Sequence, residues 1–193
     1  MKILDFLKLP EAREISDLDD PSVTLLHSRI INSKPFLKRL YKEFYSEFKD
    51  SINDGSRVLI ELGSGGGFVK EIIPRVFTSD VISLSHLDIR FSALEIPFQD
   101  QTVDAYFMID VLHHINDPVI FFRELGRSLK TGGKIVMIEP ANTVWGRFIY
   151  SHFHHEPFVT SAGWGFEKKG PLTSANGALP WIIFCALKIT FCF

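Results

Sequence analysis

An acid and three alternating glycines, Glu61, Gly63, Gly65 and Gly67, are the residues of this chain best placed to do chemistry. They lie in VLIELGSGGGF, residues 58–68, where an apolar run ends in the acid and passes into the glycines, with Ser64 and Gly66 between them and Phe68 after them. The pattern reads as a strand running into a glycine loop that opens a helix. Such a loop lets a nucleotide-like ligand lie against bare backbone, with the N–H groups at the helix start pointing toward it. A dinucleotide fingerprint needs G-x-G-x-x-G, and counted from Gly63 its third glycine falls on Phe68. The sequence fits E-x-G-x-G-x-G instead.

The elements that must hold this loop are legible around it. Asp20-Pro21 is a helix start, an acid cap followed by proline in the first turn, and the helix runs to about residue 30. A second helix is expected over 35–50, where Phe36, Leu37, Leu40, Tyr41, Phe44, Tyr45 and Phe48 recur at helical spacing as one broad apolar face. Asn53-Asp54-Gly55 then breaks the chain. Strands at 57–62, 77–80, 87–91, 105–109 and 134–139 alternate with helices at 66–76 and from Asp117-Pro118 onward. The latter helix buries Phe121, Phe122, Leu125 and Leu129 and is closed by Thr131-Gly132-Gly133. This alternation predicts an α/β fold, a Rossmann-like doubly wound, mainly parallel sheet with helices on both faces. Glu61, Asp80, Asp110 and Glu139 all fall at strand ends, and four acids at one sheet edge mark that edge as the site.

Composition narrows the rest. The chain has 193 residues, 46% hydrophobic and 23% charged, which suits a globular protein with a real core. A net charge of −2 gives no general attraction to nucleic acid or to an anionic membrane. The two cysteines, Cys185 and Cys192, form no zinc spacing or disulfide framework, so a reducing cytoplasm is expected. The N-terminus turns acidic after a short apolar patch, unlike a signal peptide, and no stretch reaches the roughly 20 apolar residues of an integral membrane segment. His152, His154, His155 and Glu156 match no helical metal-binding spacing, so no metal is expected. They read as a loop over an acceptor pocket walled by Trp145, Phe148, Phe153, Phe158 and Trp164.

Residues 58–140 resemble the class I S-adenosylmethionine-dependent methyltransferases, in the small-molecule branch that includes quinone methyltransferases (methyltransferase domain 11-like). The set carrying the resemblance is the glycine loop, Asp80, the ALEIPF segment at 93–98, the DVLHH segment at 110–114 and the LKTGGK turn leading into IEP. In the family's D-A-x-x-L-P-F segment this chain has Ser92 and Ile96 where Asp and Leu are usual. The resemblance implies S-adenosyl-L-methionine as cofactor. Glu61 would hold its ammonium, the loop of Gly63, Ser64, Gly65, Gly67 and Phe68 its carboxylate side, and Asp80 its ribose. Ser92 and Ala93 would meet the adenine, and Asp110 and Val111 would line the cofactor. His113 would face the substrate, and His113 or His114 would act as base toward a hydroxyl acceptor.

The division expected is an N-terminal helical segment at 1–53 covering the cofactor site, a binding core at 54–140, and substrate-side loops with an apolar tail at 141–193. The substrate is expected to be a small or lipid-like molecule, with no nucleic-acid partner; residue types do not fix the oligomeric state. A non-catalytic module of the same fold is the competing reading, motivated by Ser92 and the short C-terminus, and a nicotinamide oxidoreductase is opposed by Phe68. The family's last antiparallel strand pair has little room after Pro140, and the ending KITFCF reads as a chain cut short with an exposed sheet edge.

Overall fold

The computed structural model describes residues 17–166 and 169–186. The KITFCF ending with Cys192, and the leading segment up to residue 16, lie outside the described residues.

Helix α1 (Pro21–Ser33) begins where the Asp20 carboxylate accepts the Ser22 amide at 2.7 Å. Lys34 is extended, and α2 (Pro35–Ser51) starts at the next proline. The buried stripe of α2 is narrower than the sequence suggests. Tyr45 and Phe48 are buried, but Phe36 is 74% exposed, because only the C-terminal half of the helix lies on the sheet.

The sheet holds β1 (Leu59–Glu61), β2 (Phe77–Asp80), β3 (Ile89–Arg90), β4 (Val103–Ile109) and β5 (Leu129–Ile138) in the order β3-β2-β1-β4-β5. Every pairing is parallel. Period-two alternation divides the strands between two cores. Leu59, Ala105 and Phe107 pack with Tyr45 and Phe48 of α2 on one face. Ile60, Tyr106 and Met108 pack with Phe121 and Leu125 of α3 (Pro118–Ser128) on the other. The fold is therefore an α/β sandwich of the Rossmann-like kind.

Two expected features differ. The helix over 66–76 is only a 3₁₀ turn, Val69–Glu71, because glycines before it and Pro74 after it leave too little chain for regular helix. Thr131-Gly132-Gly133 does not close α3, which ends at Ser128; Leu129 is the first residue of β5. The glycines instead form a bulge, where the register jumps from Val103↔Leu129 to Ala105↔Lys134 and Gly132 adopts φ 77°.

After β5, α4 (Val144–His152) is capped by Thr143 and buries none of its residues. Residues Leu179–Trp181 form a short α5 that continues into a π-helical turn, Ile182–Ala186. Leu179 and Ile183 are fully buried in the α3-side core, so this part of the apolar tail is a core element. Among the described residues β5 has no neighbour on its outer side and no antiparallel strand is present. Among them, too, no helix is long and apolar enough to cross a membrane.

Candidate functional site

Chain order reverses across β1 and β4, and at such a switch point the loops after the strands part to leave a crevice. A cavity of about 570 Å³ opens there. One wall is the loop from Glu61 to Gly67, and Asp80 and Ile82 follow from the end of β2. Ser92, Ala93 and Leu94 come from beyond β3, and Asp110, Val111 and His114 from beyond β4.

Of the sequence-derived residues, Glu61, Gly63, Ser64, Gly65, Gly67, Asp80, Ser92, Ala93, Asp110, Val111 and His114 are brought to this cavity. Phe68 and His113 are not. The Phe68 ring packs with Tyr45 and Tyr41 at centroid distances of 5.2 and 6.2 Å, and its amide donates to the Tyr45 hydroxyl. It anchors α2 to the loop. Nor do Trp145, Phe148, Phe153, Phe158 and Trp164 wall the cavity. α4 leaves Trp145 69% and Phe148 44% exposed.

Glu61 is 3% exposed and its Oε2 has no hydrogen-bond partner. Burial pushes its carboxyl up to about 8. An unpaired buried carboxyl oxygen beside bare glycine backbone suits a ligand that brings its own cation. Asp80 is buried as well, and its two oxygens accept the amides of Gly65 and Ile82, both at 2.9 Å. It therefore shapes the glycine loop, and each oxygen retains a lone pair for a ligand hydroxyl. Ser64 ties the same loop to β2, its amide donating to the Ser79 carbonyl and its hydroxyl accepting the Ser79 amide. Ser92 Oγ accepts the Leu94 amide, a local turn that holds the 92–94 backbone against the cavity.

The glycines are required by contact as well as conformation. Gly63 and Gly65 have φ of 60° and 47°. A Cβ on Gly63 would lie 2.5 Å from Val111 Cγ2.

The acid at the end of β5 has a different task from the other three. Glu139 does not line the cavity. Its Oε1 accepts the amides of Val111 and Leu112 at 2.8 and 2.6 Å, and its Oε2 accepts His113 Nδ1–H at 2.8 Å. His113 is 2% exposed and its Nε2 faces Glu156 at 3.3 Å. Burial opposes its charge, but the Glu139 hydrogen bond and the negative charges of Glu139 and Glu156 prevail and push it up to about 10. With Nδ1 bonded to Glu139 and Nε2 turned toward Glu156, the ring stays off the cavity, whereas the sequence places it facing a substrate. His114 is the ring on the cavity, held below the usual range by burial and by the charge of His113.

Several wall residues carried no motif. Thr24, His27 and Ile31 come from α1, Tyr41 and Tyr45 from α2, and Lys169, Gly170 and Leu172 from the C-terminal loop. The i, i+4 spacing of Tyr41 and Tyr45 was visible only as part of an apolar face. Asp19 fastens that loop, its Oδ1 accepting the amides of Leu172 and Thr173.

Residues 60–137 match the family model described as "Methyltransferase domain". The chain has the class I methyltransferase fold. The domain's matched stretch runs from β1 into β5, and so holds the glycine loop, Asp80, Ser92, Asp110 and His114. α1, α2 and the loop carrying Glu156 lie outside it. The methyltransferase fold is shared with a candidate S-adenosyl-L-methionine-dependent methyltransferase of Methanococcus maripaludis, at 16% identity and TM-score 0.55, covering 72% of this chain and 75% of that one. It is also shared with the complex of the Haloferax volcanii Trm112 methyltransferase activator and a candidate methyltransferase, at 17% identity and TM-score 0.53, covering 72% and 69%. No protein of curated function matches the sequence.

Proposed function

We propose that this chain is an S-adenosyl-L-methionine-dependent methyltransferase acting on a small or lipid-like acceptor in the cytoplasm. The observation that carries the reading is the orphaned Glu61 Oε2, buried at the end of β1 beside a glycine-rich loop that Asp80 holds through the Gly65 amide. These groups fit the cofactor. Glu61 would receive the ammonium, the loop amides the carboxylate, Asp80 the ribose hydroxyls, and the 92–94 backbone the adenine. When bound, the cofactor supplies a methyl group on an electrophilic sulfonium. The protein's own part is to align and to dry the site: Ile31, Tyr41, Ile115 and Leu172 are apolar walls that exclude water and favour an acceptor with apolar surface.

Calorimetric titration with S-adenosyl-L-methionine tests the reading directly, with S-adenosylhomocysteine and NADH in parallel. Micromolar binding of the first two is expected, lost in Gly65→Asp and weakened about tenfold in Asp80→Ala. A folded protein that binds none of the three, or NADH alone, would overturn it.

The pH dependence follows from Glu61. Its carboxyl is raised to about 8, so below that pH it is neutral in the free protein and must lose its proton to pair with an ammonium. Affinity is expected to rise from pH 6 toward 8, then fall as the ligand's α-amino group, with its ordinary pKa of about 8, becomes neutral. Glu61→Gln is expected to erase the rising limb. A flat profile in the wild type would remove Glu61 from the ammonium site.

A further inference from the structure

We propose that His113, His114 and Glu156 form a binding site for a divalent transition cation of the zinc type, at the edge of the cavity. The ligands come from two distant segments. His113 and His114 sit on a 3₁₀ turn, Leu112–His114, directly after β4. Glu156 lies in the loop after α4, and its side chain is only 9% exposed. The three prospective ligand atoms lie within 4.8 Å of one another.

Three observations point to a cation rather than to a set of structural hydrogen bonds. First, each ring is turned by its far nitrogen. His113 Nδ1 faces a Glu139 carboxylate oxygen at 2.8 Å and His114 Nδ1 faces the Ser174 carbonyl oxygen at 3.0 Å. Both acceptors lack protons, so each Nδ1 carries the hydrogen and donates it. That outer hydrogen bond is the one that fixes ring orientation and tautomer in histidine metal ligands. Second, both Nε2 atoms then converge on Glu156, at 3.3 Å from Oε2 and 3.5 Å from Oε1. Bonds of about 2.0–2.1 Å in a tetrahedron give ligand separations of about 3.3 Å. Third, Glu156 Oε2 is buried and makes no hydrogen bond; the 3.3 Å approach of His113 Nε2 is a charge contact short of bonding geometry, and an incoming cation would displace the Nε2 proton. A buried carboxylate oxygen left unpaired is costly, and a cation would satisfy it.

The donor set also selects the ion. Two imidazoles and one carboxylate are too few and too nitrogen-rich for calcium or magnesium, and suit zinc or its transition-metal neighbours with a position left open. His114 and Asp110 both line the cavity, so the ion would border the chamber where an acceptor's oxygen can reach it.

The test is titration of chelator-treated full-length protein with Zn²⁺, followed by calorimetry, with Co²⁺ as a spectroscopic probe. One equivalent is expected to bind at micromolar concentration or below, and Co²⁺ to give the strong visible bands of four coordination. Affinity is expected to fall at least tenfold in Glu156→Gln and in His114→Gln, and to be unchanged in His152→Ala, an exposed histidine outside the cluster. The absence of stoichiometric binding would overturn the proposal. So would binding that persists in both cluster variants or is abolished only in His154→Ala/His155→Ala. If a cluster variant fails to fold, the Co²⁺ spectrum of the wild type decides alone, since weak six-coordinate bands exclude this site. Binding is read without the methyl donor, so its failure is separate from failure of the methyltransferase reading.

Discussion

Glu139→Ala is expected to cost the fold about 3–5 kcal/mol, the range for removing one partner of a buried ion pair. Three groups lose their acceptor at once: the amides of Val111 and Leu112 and the ring of His113. The Glu139 side chain is 6% exposed and that of His113 is 3%, so water cannot easily replace the carboxylate. The turn it braces carries His113 and His114 off the end of β4. For a chain of this size the loss corresponds to about 6–20 °C in Tm. Glu139→Gln is expected to fall between, since an amide oxygen can still accept the two backbone N–H groups while its NH₂ meets His113 donor to donor. Thermal and urea unfolding measure both. A loss below about 1 kcal/mol for the alanine variant would mean that the turn is braced from elsewhere.

Gly66→Ala is expected to cost about 1–3 kcal/mol through overpacking, and to weaken cofactor binding at least tenfold. A Cβ there would lie 2.7 Å from the Ser28 amide nitrogen, 2.8 Å from the Thr24 carbonyl oxygen and 2.9 Å from Ser28 Cα. All three are backbone atoms of α1, which cannot swing aside as a side chain can. The helix must move off the glycine loop, and it takes Thr24, His27 and Ile31 of the cavity wall with it. Gly163→Ala, with open space around its Cβ, is the matched control and is expected to be neutral. Unfolding and titration of the two variants side by side would separate this from a general intolerance of alanine. Equal affinities would show that α1 does not depend on this contact to close the site.

The α/β core was legible because its signals are local. The apolar run into Glu61, the alternate glycines and the capped helix starts at Asp20 and Asp117 are each set by a few consecutive residues. Parallel strands joined by crossovers then leave one place, the switch point, where Glu61, Asp80 and Asp110 can meet. Misreadings came where a neighbouring constraint overrode a local pattern. Pro74 cut a helix to one turn, and the Thr131-Gly132-Gly133 stop signal became a bulge inside β5.

Tertiary structure decided what sequence spacing leaves open. Spacing places Phe68 in the ligand loop, yet the aromatic face of α2 draws its ring away from the cavity. The sequence places His113 facing a substrate, yet Glu139, 26 residues further along, bonds one of its nitrogens and Glu156, 43 residues along, faces the other. The same convergence assembles a candidate cation site that HFHHEP alone does not suggest. A short-range motif dictates backbone and therefore belongs to the sequence. A cluster of side chains from β4, β5 and the loop after α4 exists only once the sheet has set their distances.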